Sequence, residues 1–187
     1  MATTSDPRFM RSREAIVNAA RELLLQHGPS AVTHVQVAEL AGVGRATVYR
    51  HWPRSDVLLA DAMATVPMPF FAAPTTPTRD WIHAELTVIA RELELDDVRA
   101  VATTLVNAAL WDQDMDTRRA GFAQILGERL ATALDEAQAR GELNPHVDSP
   151  SAAALTLGPL FYRSTIEHAP IDDNLIHAAI NAVGRWT

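Results

Sequence analysis

The spacing of hydrophobic residues along the chain predicts helices almost throughout. Apolar residues recur every three or four positions between residues 8 and 27, which is the period of an amphipathic helix. Shorter helices are predicted over residues 34–40 and 45–51, and from Ser55 or Asp56 to about residue 64. Similar apolar stripes follow over residues 82–93, 98–108, 122–137, 149–161 and 172–183. No segment alternates with the period of two that a strand shows. We therefore expect an all-α fold of about nine helices.

A cluster of prolines interrupts the helical pattern near residue 70. Proline fixes φ and lacks an N–H group, so no helix is expected to run through such a cluster. Two phenylalanines within it, Phe70 and Phe71, suggest that part of this segment packs down. The expected organisation is an N-terminal domain over residues 1–64, a linker over 65–78 and a helical C-terminal domain over 79–187. The prolines are Pro67, Pro69, Pro74 and Pro77.

The charge of the chain is unevenly distributed. The 187 residues carry a formal net charge of −7, which argues against a protein that binds nucleic acid over its whole surface. Residues 1–56, however, contain seven arginines and five acidic residues, a balance of +2, and residues 57–187 have a balance of −9. We therefore expect any contact with DNA to lie in the first part of the chain.

Several functional classes are excluded or unsupported. The chain has no cysteine, which rules out disulfides and thiolate sites. No apolar run approaches the ~18 residues of a membrane span, and the N-terminus lacks an apolar signal-like segment, so a cytoplasmic protein is expected. Asp112, Asp114 and Asp116 begin like a calcium loop, but the glycine and glutamate that the loop requires are absent. The histidines form no HExxH motif. No metal site, no cofactor and no catalytic residue is predicted.

Residues 33–52, THVQVAELAGVGRATVYRHW, fit two short helices joined by a tight turn. Thr33 and Gln36 have the spacing of a capping box, and Gly42 can take the left-handed conformation that a tight turn needs. The second helix projects Arg45, Thr47, Tyr49, Arg50 and His51. Arginine can donate two hydrogen bonds to guanine, and hydroxyl side chains can reach bases or phosphates. The segment is therefore predicted to be a DNA-binding helix-turn-helix, packed through Val37, Ala38, Ala41, Val43 and Val48.

Residues 13–64 also resemble the DNA-binding domain of the TetR/AcrR family of transcriptional regulators. The resemblance lies in the segments REAIVNAARELLLQHG, VAELAGV, ATVYRHW and DVLLADA, and a later segment, GPLFYR, is similar to one in many members. It implies a homodimeric regulator, most commonly a repressor, that binds a palindromic double-stranded DNA operator and is released by a small-molecule effector. It implies that Thr33 contacts phosphate and that the DNA face contains Arg45, Ala46, Thr47, Tyr49, Arg50 and His51.

Two positions depart from the family pattern. Residue 44 is Gly where a polar residue is usual, and residue 55 is Ser where a phosphate-binding lysine is usual. Arg54 is the candidate substitute for that lysine. These departures leave open an alternative function, a protein that binds or sequesters small molecules and whose helix-turn-helix has lost DNA binding. An all-α enzyme is a third alternative, which no motif supports.

The C-terminal domain is expected to pair two copies and to bind the effector. In the resembled family the last two helices form a four-helix dimer interface, and the candidate residues here are Leu157, Leu160, Phe161, Ile176, Ile180 and Val183. Large apolar residues with a few polar groups are typical of a ligand pocket, and equally of a core. The pocket candidates are Trp81, His83, Trp111, Met115, Phe122 and Tyr162. The sequence does not identify the effector.

Overall fold

The computed structural model describes residues 7–65 and 69–187, apart from the side chains of four residues among them. Asp6, which the sequence suggests as the cap of the first helix, and Pro67 of the proline cluster lie outside the described residues. The chain divides into two compact units, Met1–Pro67 and Met68–Thr187. The described residues contain nine α-helices, so the all-α prediction is confirmed.

The first unit contains four α-helices and one short 3₁₀ turn. Its amphipathic helices bury small and branched side chains such as Ile16, Ala20, Val37, Val48 and Leu58, and this burial supplies the main stabilisation of such short elements. The predicted helices of this region are all present. Their bounds are α1 Pro7–His27, the 3₁₀ turn Pro29–Ala31, α2 His34–Leu40, α3 Arg45–His51 and α4 Ser55–Met63.

Helix α2 begins with the predicted cap, in a modified form. The Thr33 Oγ1 accepts a hydrogen bond from the Gln36 N–H at 3.2 Å. In a full capping box the Gln36 side chain would accept from the Thr33 backbone N–H. That N–H instead donates to the carbonyl of Ala31, and the Gln36 Oε1 accepts from the Thr33 hydroxyl at 3.1 Å.

The turn between α2 and α3 is a Schellman motif. Gly42 has a φ of 65°, as its role in the tight turn predicts. Its N–H donates to the carbonyl of Glu39, and the N–H of Val43 donates to the carbonyl of Ala38. These two bonds satisfy carbonyls at the end of α2 and direct the chain into α3.

The second unit is a bundle of five helices with a small two-stranded sheet. Leucine side chains from three of its helices meet in one core, among them Leu86, Leu130, Leu134 and Leu160. The elements are α5 Thr78–Glu94, α6 Asp96–Ala108, α7 Gln113–Ala139, β1 Leu143–Pro145, α8 Ser149–Thr165, α9 Asp173–Ala182 and β2 Gly184–Trp186.

The sheet is absent from the sequence-based prediction. Strands β1 and β2 pair antiparallel, with Leu143 opposite Trp186, and each has three residues. A segment of that length is too short to show a period of two. Helix α7 also begins earlier than its apolar stripe, because the carboxylate of Asp112 accepts from the N–H groups of Asp114 and Met115 and caps it. Helix α8 continues through Pro159.

Part of the proline-rich segment packs onto the second unit. Phe71 is buried, and its N–H donates to the Glu85 Oε2 at 2.6 Å. Its ring meets that of Trp81 edge-on, with 5.7 Å between centroids. Residues 69–77 contain no helix, and α5 begins at Thr78. Over the described ranges, no helix is both long and apolar enough to cross a bilayer.

Candidate nucleic-acid interface

Helix α3 separates sharply into a buried side and an exposed side. Val48 is fully buried, whereas Arg45, Ala46, Tyr49 and Arg50 are exposed. Thr47 is half-buried. The helix has seven residues and depends on its neighbours for stability, so its burial also fixes the direction of the exposed arginines.

The residue that ends α3, Trp52, anchors the helix from two sides. Its side chain is buried, and the indole Nε1–H donates to the Asp61 Oδ2 at 2.9 Å. Its backbone carbonyl accepts a hydrogen bond from the Nε2 of buried His34, on α2, at 2.7 Å. Trp52 therefore connects the end of α3 to α4 and to α2.

Asp61 is a buried carboxylate that also connects α4 to α1. Its Oδ2 accepts from the Arg13 Nη2 at 2.8 Å as well as from Trp52. The Arg13 guanidinium lies over the Trp52 ring, 5.1 Å from the centroid, in a cation–π arrangement. Sequence reasoning missed Asp61. The signal was an acidic residue inside the otherwise apolar segment VLLADAM, because a charge in such a stripe is buried only when it is paired.

Tyr49 is held by stacking. Its ring lies against that of His34, with centroids 4.1 Å apart and an angle of 7° between planes, while half of the side chain stays exposed. His34 thus positions Tyr49 by ring stacking and Trp52 by the hydrogen bond from its Nε2 to the Trp52 carbonyl. A preorganised aromatic loses less conformational freedom when it contacts DNA.

His51 faces α1 instead of lying freely at the surface. Its Nε2 is 3.0 Å from the Ser12 Oγ, and its ring centroid is 4.2 Å from that of Phe9. The Ser12 hydroxyl donates to the Phe9 carbonyl, so its oxygen is left to accept from His51. Burial, followed by the charges of Arg50 and Arg13, lowers the pKa of His51 below its usual value of 6.5. His51 therefore adds no charge to this surface at neutral pH.

The remaining DNA candidates lie at helix N-termini. Thr33 is exposed at the start of α2. Arg54 precedes α4, and its guanidinium makes two bonds to the Asp56 carboxylate, at 3.0 and 2.5 Å. Gly44 precedes α3 and supplies no side-chain cap. The described geometry thus keeps Arg45, Tyr49 and Arg50 at the surface, with Thr33 exposed at the start of the preceding helix.

Comparisons with known proteins identify this arrangement. Residues 16–62 match the family model described as bacterial regulatory proteins, tetR family. Residues 72–183 match the tetracyclin repressor-like C-terminal domain. The chain belongs to the TetR family. The resemblance inferred from the sequence is therefore confirmed, and it extends through the second unit of this TetR-family protein.

Individual TetR relatives support the same assignment. The HTH-type transcriptional regulator YdeS of Bacillus subtilis is 28% identical over 172 residues, covering 91% of this chain and 86% of that protein. The crystal structure of the TetR family regulator SCO0332 has a TM-score of 0.64 at 25% identity, covering 94% of this chain and all of that one. NalD, the secondary repressor of the MexAB-OprM multidrug efflux pump in Pseudomonas aeruginosa, shares the fold, with a TM-score of 0.54 at 23% identity, covering 94% and 98% of the two chains.

This TetR-family protein is a DNA-binding transcriptional regulator, not an enzyme. The family assignment decides between a transcriptional regulator and an enzyme. Helix α3 is the second helix of this helix-turn-helix, and in such motifs the second helix is the element that enters the major groove.

The six effector-pocket candidates of this TetR chain lie in different surroundings. Trp81 and Met115 are buried, and Phe122 is half-buried on α7. Trp111 precedes α7 and is 88% exposed. The other two are Tyr162, which is exposed on α8, and His83, whose Nε2 lies 2.6 Å from the Asp173 Oδ1.

Most of the six candidate dimer residues belong to the core of their own chain. Leu160, Ile176, Ile180 and Val183 are each at most 3% exposed, so they offer no surface to a partner in this conformation. Leu157 and Phe161 are half-buried. The large apolar side chains exposed in this region are Leu155 and Tyr162 on α8 and Ile166, which directly follows it.

Proposed function

We propose that this protein is a homodimeric repressor that places α3 of each protomer on a palindromic operator and is released by a small-molecule effector. The observation that carries the proposal is the exposed side of α3, anchored through Val48 and Trp52. The proposed operator is bacterial double-stranded DNA, so we expect the protein to act in the cytoplasm. We further propose that residues 65–78 link the DNA-binding part, residues 1–64, to a regulatory part, residues 79–187.

Direct base contacts are assigned to α3. Arg45 and Arg50 are exposed five residues apart, and Tyr49 is fixed by its stacking on His34. Arginine forms the bidentate contact with guanine that gives the commonest sequence-specific readout. Ala46 and Thr47 offer small groups for contact with a thymine methyl.

Phosphate contacts are assigned to Thr33 and the N-terminus of α2. The first N–H groups of a helix have no acceptor within it, and the helix dipole makes this end partly positive. Both features favour binding of a phosphate. Arg54 contributes less than a free arginine would, because Asp56 offsets its charge. His51 is assigned a positioning role, through Ser12 on α1, instead of a base contact.

Dimer formation is assigned to the exposed stripe of α8. Leu155, Tyr162 and the C-cap residue Ile166 are spaced seven and four residues apart, which places them along one side of the helix and its end. One helix-turn-helix contacts half of an operator, so twofold pairing places two such helices one DNA turn, ~34–36 Å, apart. An apolar stripe that the chain itself leaves exposed is the natural surface for that pairing.

Effector binding is assigned to the second unit as a whole and not to a particular pocket. NalD, which shares the fold, is named as a repressor of an efflux pump. An effector acts by preferring the conformation that does not bind DNA, so it needs a site whose shape differs between the two states. Trp81, Met115 and Phe122 are the candidates with enough burial to line such a site.

The DNA proposal is tested by selecting bound fragments from genomic DNA and measuring affinity by gel retardation. We expect Arg45→Ala and Tyr49→Ala each to weaken binding at least ~tenfold, a loss of ~1.4 kcal/mol. The matched control is Arg21→Ala, which removes the same charge from an exposed position on α1. An equal loss in the control would show that only overall charge matters, and no retardation of any fragment would favour the sequestering alternative.

The dimer proposal is tested by light scattering after size-exclusion chromatography. We expect twice the chain mass for the natural protein and a shift toward monomer for Tyr162→Glu and Ile166→Glu. The control is Leu25→Glu, which places the same charge at an exposed leucine of α1. A natural protein that is monomeric at micromolar concentration contradicts the proposal.

A further inference from the structure

Two histidines and an aspartate meet on the second unit, away from the helix-turn-helix. The His83 Nε2 lies 2.6 Å from the Asp173 Oδ1, and the His177 Nδ1 lies 3.2 Å from the Asp173 Oδ2. The two imidazole rings are 4.7 Å apart between centroids. One ligand atom from each of the three side chains falls within 4.8 Å of the other two. We propose that this cluster binds a divalent transition-metal ion, with Zn²⁺ as the reference ion.

The cluster is built on rigid backbone. His83 lies on α5 next to Ile82, which is buried, and three residues before Leu86, which is fully buried. Asp173 and His177 are one helical turn apart on α9, so they face the same way. The buried residues of α5 and α9 belong to one core, which fixes the distance between the two helices. Sites on such elements hold their ligands more precisely than sites on loops.

The donor set determines the class of metal. Two imidazoles and one carboxylate suit zinc and neighbouring first-row ions, whereas calcium and magnesium prefer oxygen ligands alone. Zinc takes nitrogen and oxygen ligands at ~2.0–2.2 Å in tetrahedral geometry, which separates neighbouring ligand atoms by ~3.3 Å. Three protein ligands leave one position for water or another ligand.

Metal binding requires only small side-chain movements. The Asp173 Oδ1 accepts from His83 without a metal, and this contact is shorter than the ligand spacing in a zinc site, whereas the Oδ2 lies 3.2 Å from the His177 Nδ1. The His83–Asp173 contact must lengthen by ~0.7 Å, and the other ligand pairs, which all lie within 4.8 Å, must move by ~1.5 Å or less to reach the ~3.3 Å spacing. The three side chains are 33%, 68% and 43% exposed, so they can make these movements without disturbing the core. The His177 Nδ1 must also give up its hydrogen bond to the Asp173 carbonyl, at 2.9 Å, when it turns its lone pair to the metal.

The sequence conceals this site. His83 and Asp173 are 90 residues apart, and only the pair Asp173 and His177 has a helical spacing. The expectation of no metal site rested on the absence of HExxH and of cysteine. The inference does not depend on DNA binding, and its test contains no DNA, so it can fail independently of the proposed function.

The test is isothermal titration of the full chain, without a histidine tag, with ZnCl₂, followed by substitution of Co²⁺. We expect one zinc ion per chain, and with Co²⁺ a visible absorption band typical of four-coordinate cobalt. His83→Gln, His177→Gln and Asp173→Asn should each weaken zinc binding at least ~tenfold, and the double variant of both histidines should abolish the band. Zinc should also raise the unfolding temperature of the natural protein but not that of the three cluster variants.

The matched control is His146→Gln, which removes an exposed histidine from outside the cluster and should bind zinc like the natural protein. Circular dichroism establishes that each variant is folded before titration. The proposal is overturned if the natural protein binds no zinc up to millimolar concentration. It is equally overturned if the three folded cluster variants bind as tightly as the natural protein, or if His146→Gln loses binding as they do.

Discussion

The buried carboxylate of Asp61 allows the sharpest test of how the DNA-binding unit is held together. Its Oδ2 accepts from the Trp52 indole and from Arg13. Asp61→Asn keeps the size of the side chain and one acceptor oxygen but removes the negative charge. Because the side-chain volume stays the same, the change in stability reports on the contribution of the charge to both hydrogen bonds.

The expected loss follows from the burial of each partner. A hydrogen bond to a charged group contributes ~1.5–3 kcal/mol, against ~0.5–1.5 kcal/mol for a neutral one, so the bond from buried Trp52 should lose ~1 kcal/mol. The Arg13 side chain is 42% exposed, and solvent screening reduces its share to under ~1 kcal/mol. We expect Asp61→Asn to lower the free energy of unfolding by ~1–2 kcal/mol, or ~5–30-fold in the folding equilibrium constant.

Asp61→Ala should cost more, about 3 kcal/mol, because it also leaves the buried Trp52 N–H without this acceptor. The assay is urea unfolding followed by circular dichroism. Glu22→Gln is the control, since it removes the same charge from an exposed position of α1 and should change stability by under ~0.5 kcal/mol. If Asp61→Asn is no less stable than this control, the carboxylate does not hold the helices together.

Three other substitutions give separate tests. Gly44→Ser fits, since the nearest atom to a new Cβ is 4.0 Å away. The serine can cap α3, so we expect a gain of a few tenths of a kcal/mol in stability and severalfold tighter operator binding in gel retardation. Weaker DNA binding would contradict the expectation that a polar residue at position 44 favours binding. The Arg140 side chain, as the main cause, lowers the pKa of Glu142 from 4.5 to about 2, so this carboxylate stabilises the fold above pH 4.5 and the contribution is lost as the pH falls through about 2. Glu142→Gln should accordingly be less stable than the natural protein near pH 7, with the difference vanishing toward pH 2 in urea titrations. Gly184→Ala would place a Cβ 2.5 Å from the Asn144 carbonyl oxygen, so we expect a loss of ~1–3 kcal/mol, and an unchanged urea midpoint would contradict that clash.

The helix-turn-helix was predictable because its signals are local. Thr33 and Gln36 lie three residues apart, and Gly42 is required by its own backbone conformation. Both could therefore be inferred from short stretches of sequence. The helix bounds of α2 and α3 followed from the same signals.

The features that escaped prediction depend on contacts between distant residues. Asp61 meets Arg13 across 48 positions, and the two three-residue strands pair across about 40. On α8, Leu160 is buried and Tyr162 is exposed because of the elements that pack against the helix. The period of the apolar residues does not determine which side of the helix those elements cover. For the same reason the effector candidates could be named from their type but not from their surroundings.

The anchoring of α3 has a consequence for the operator. Because Trp52 is bonded to both α2 and α4, the helix cannot tilt or shift by itself to follow the groove. Where the operator does not match the fixed position of α3, the DNA must bend or change its groove width to fit. The free-energy cost of this deformation depends on the base steps that are deformed. Operator positions that no side chain touches should therefore influence affinity through their flexibility.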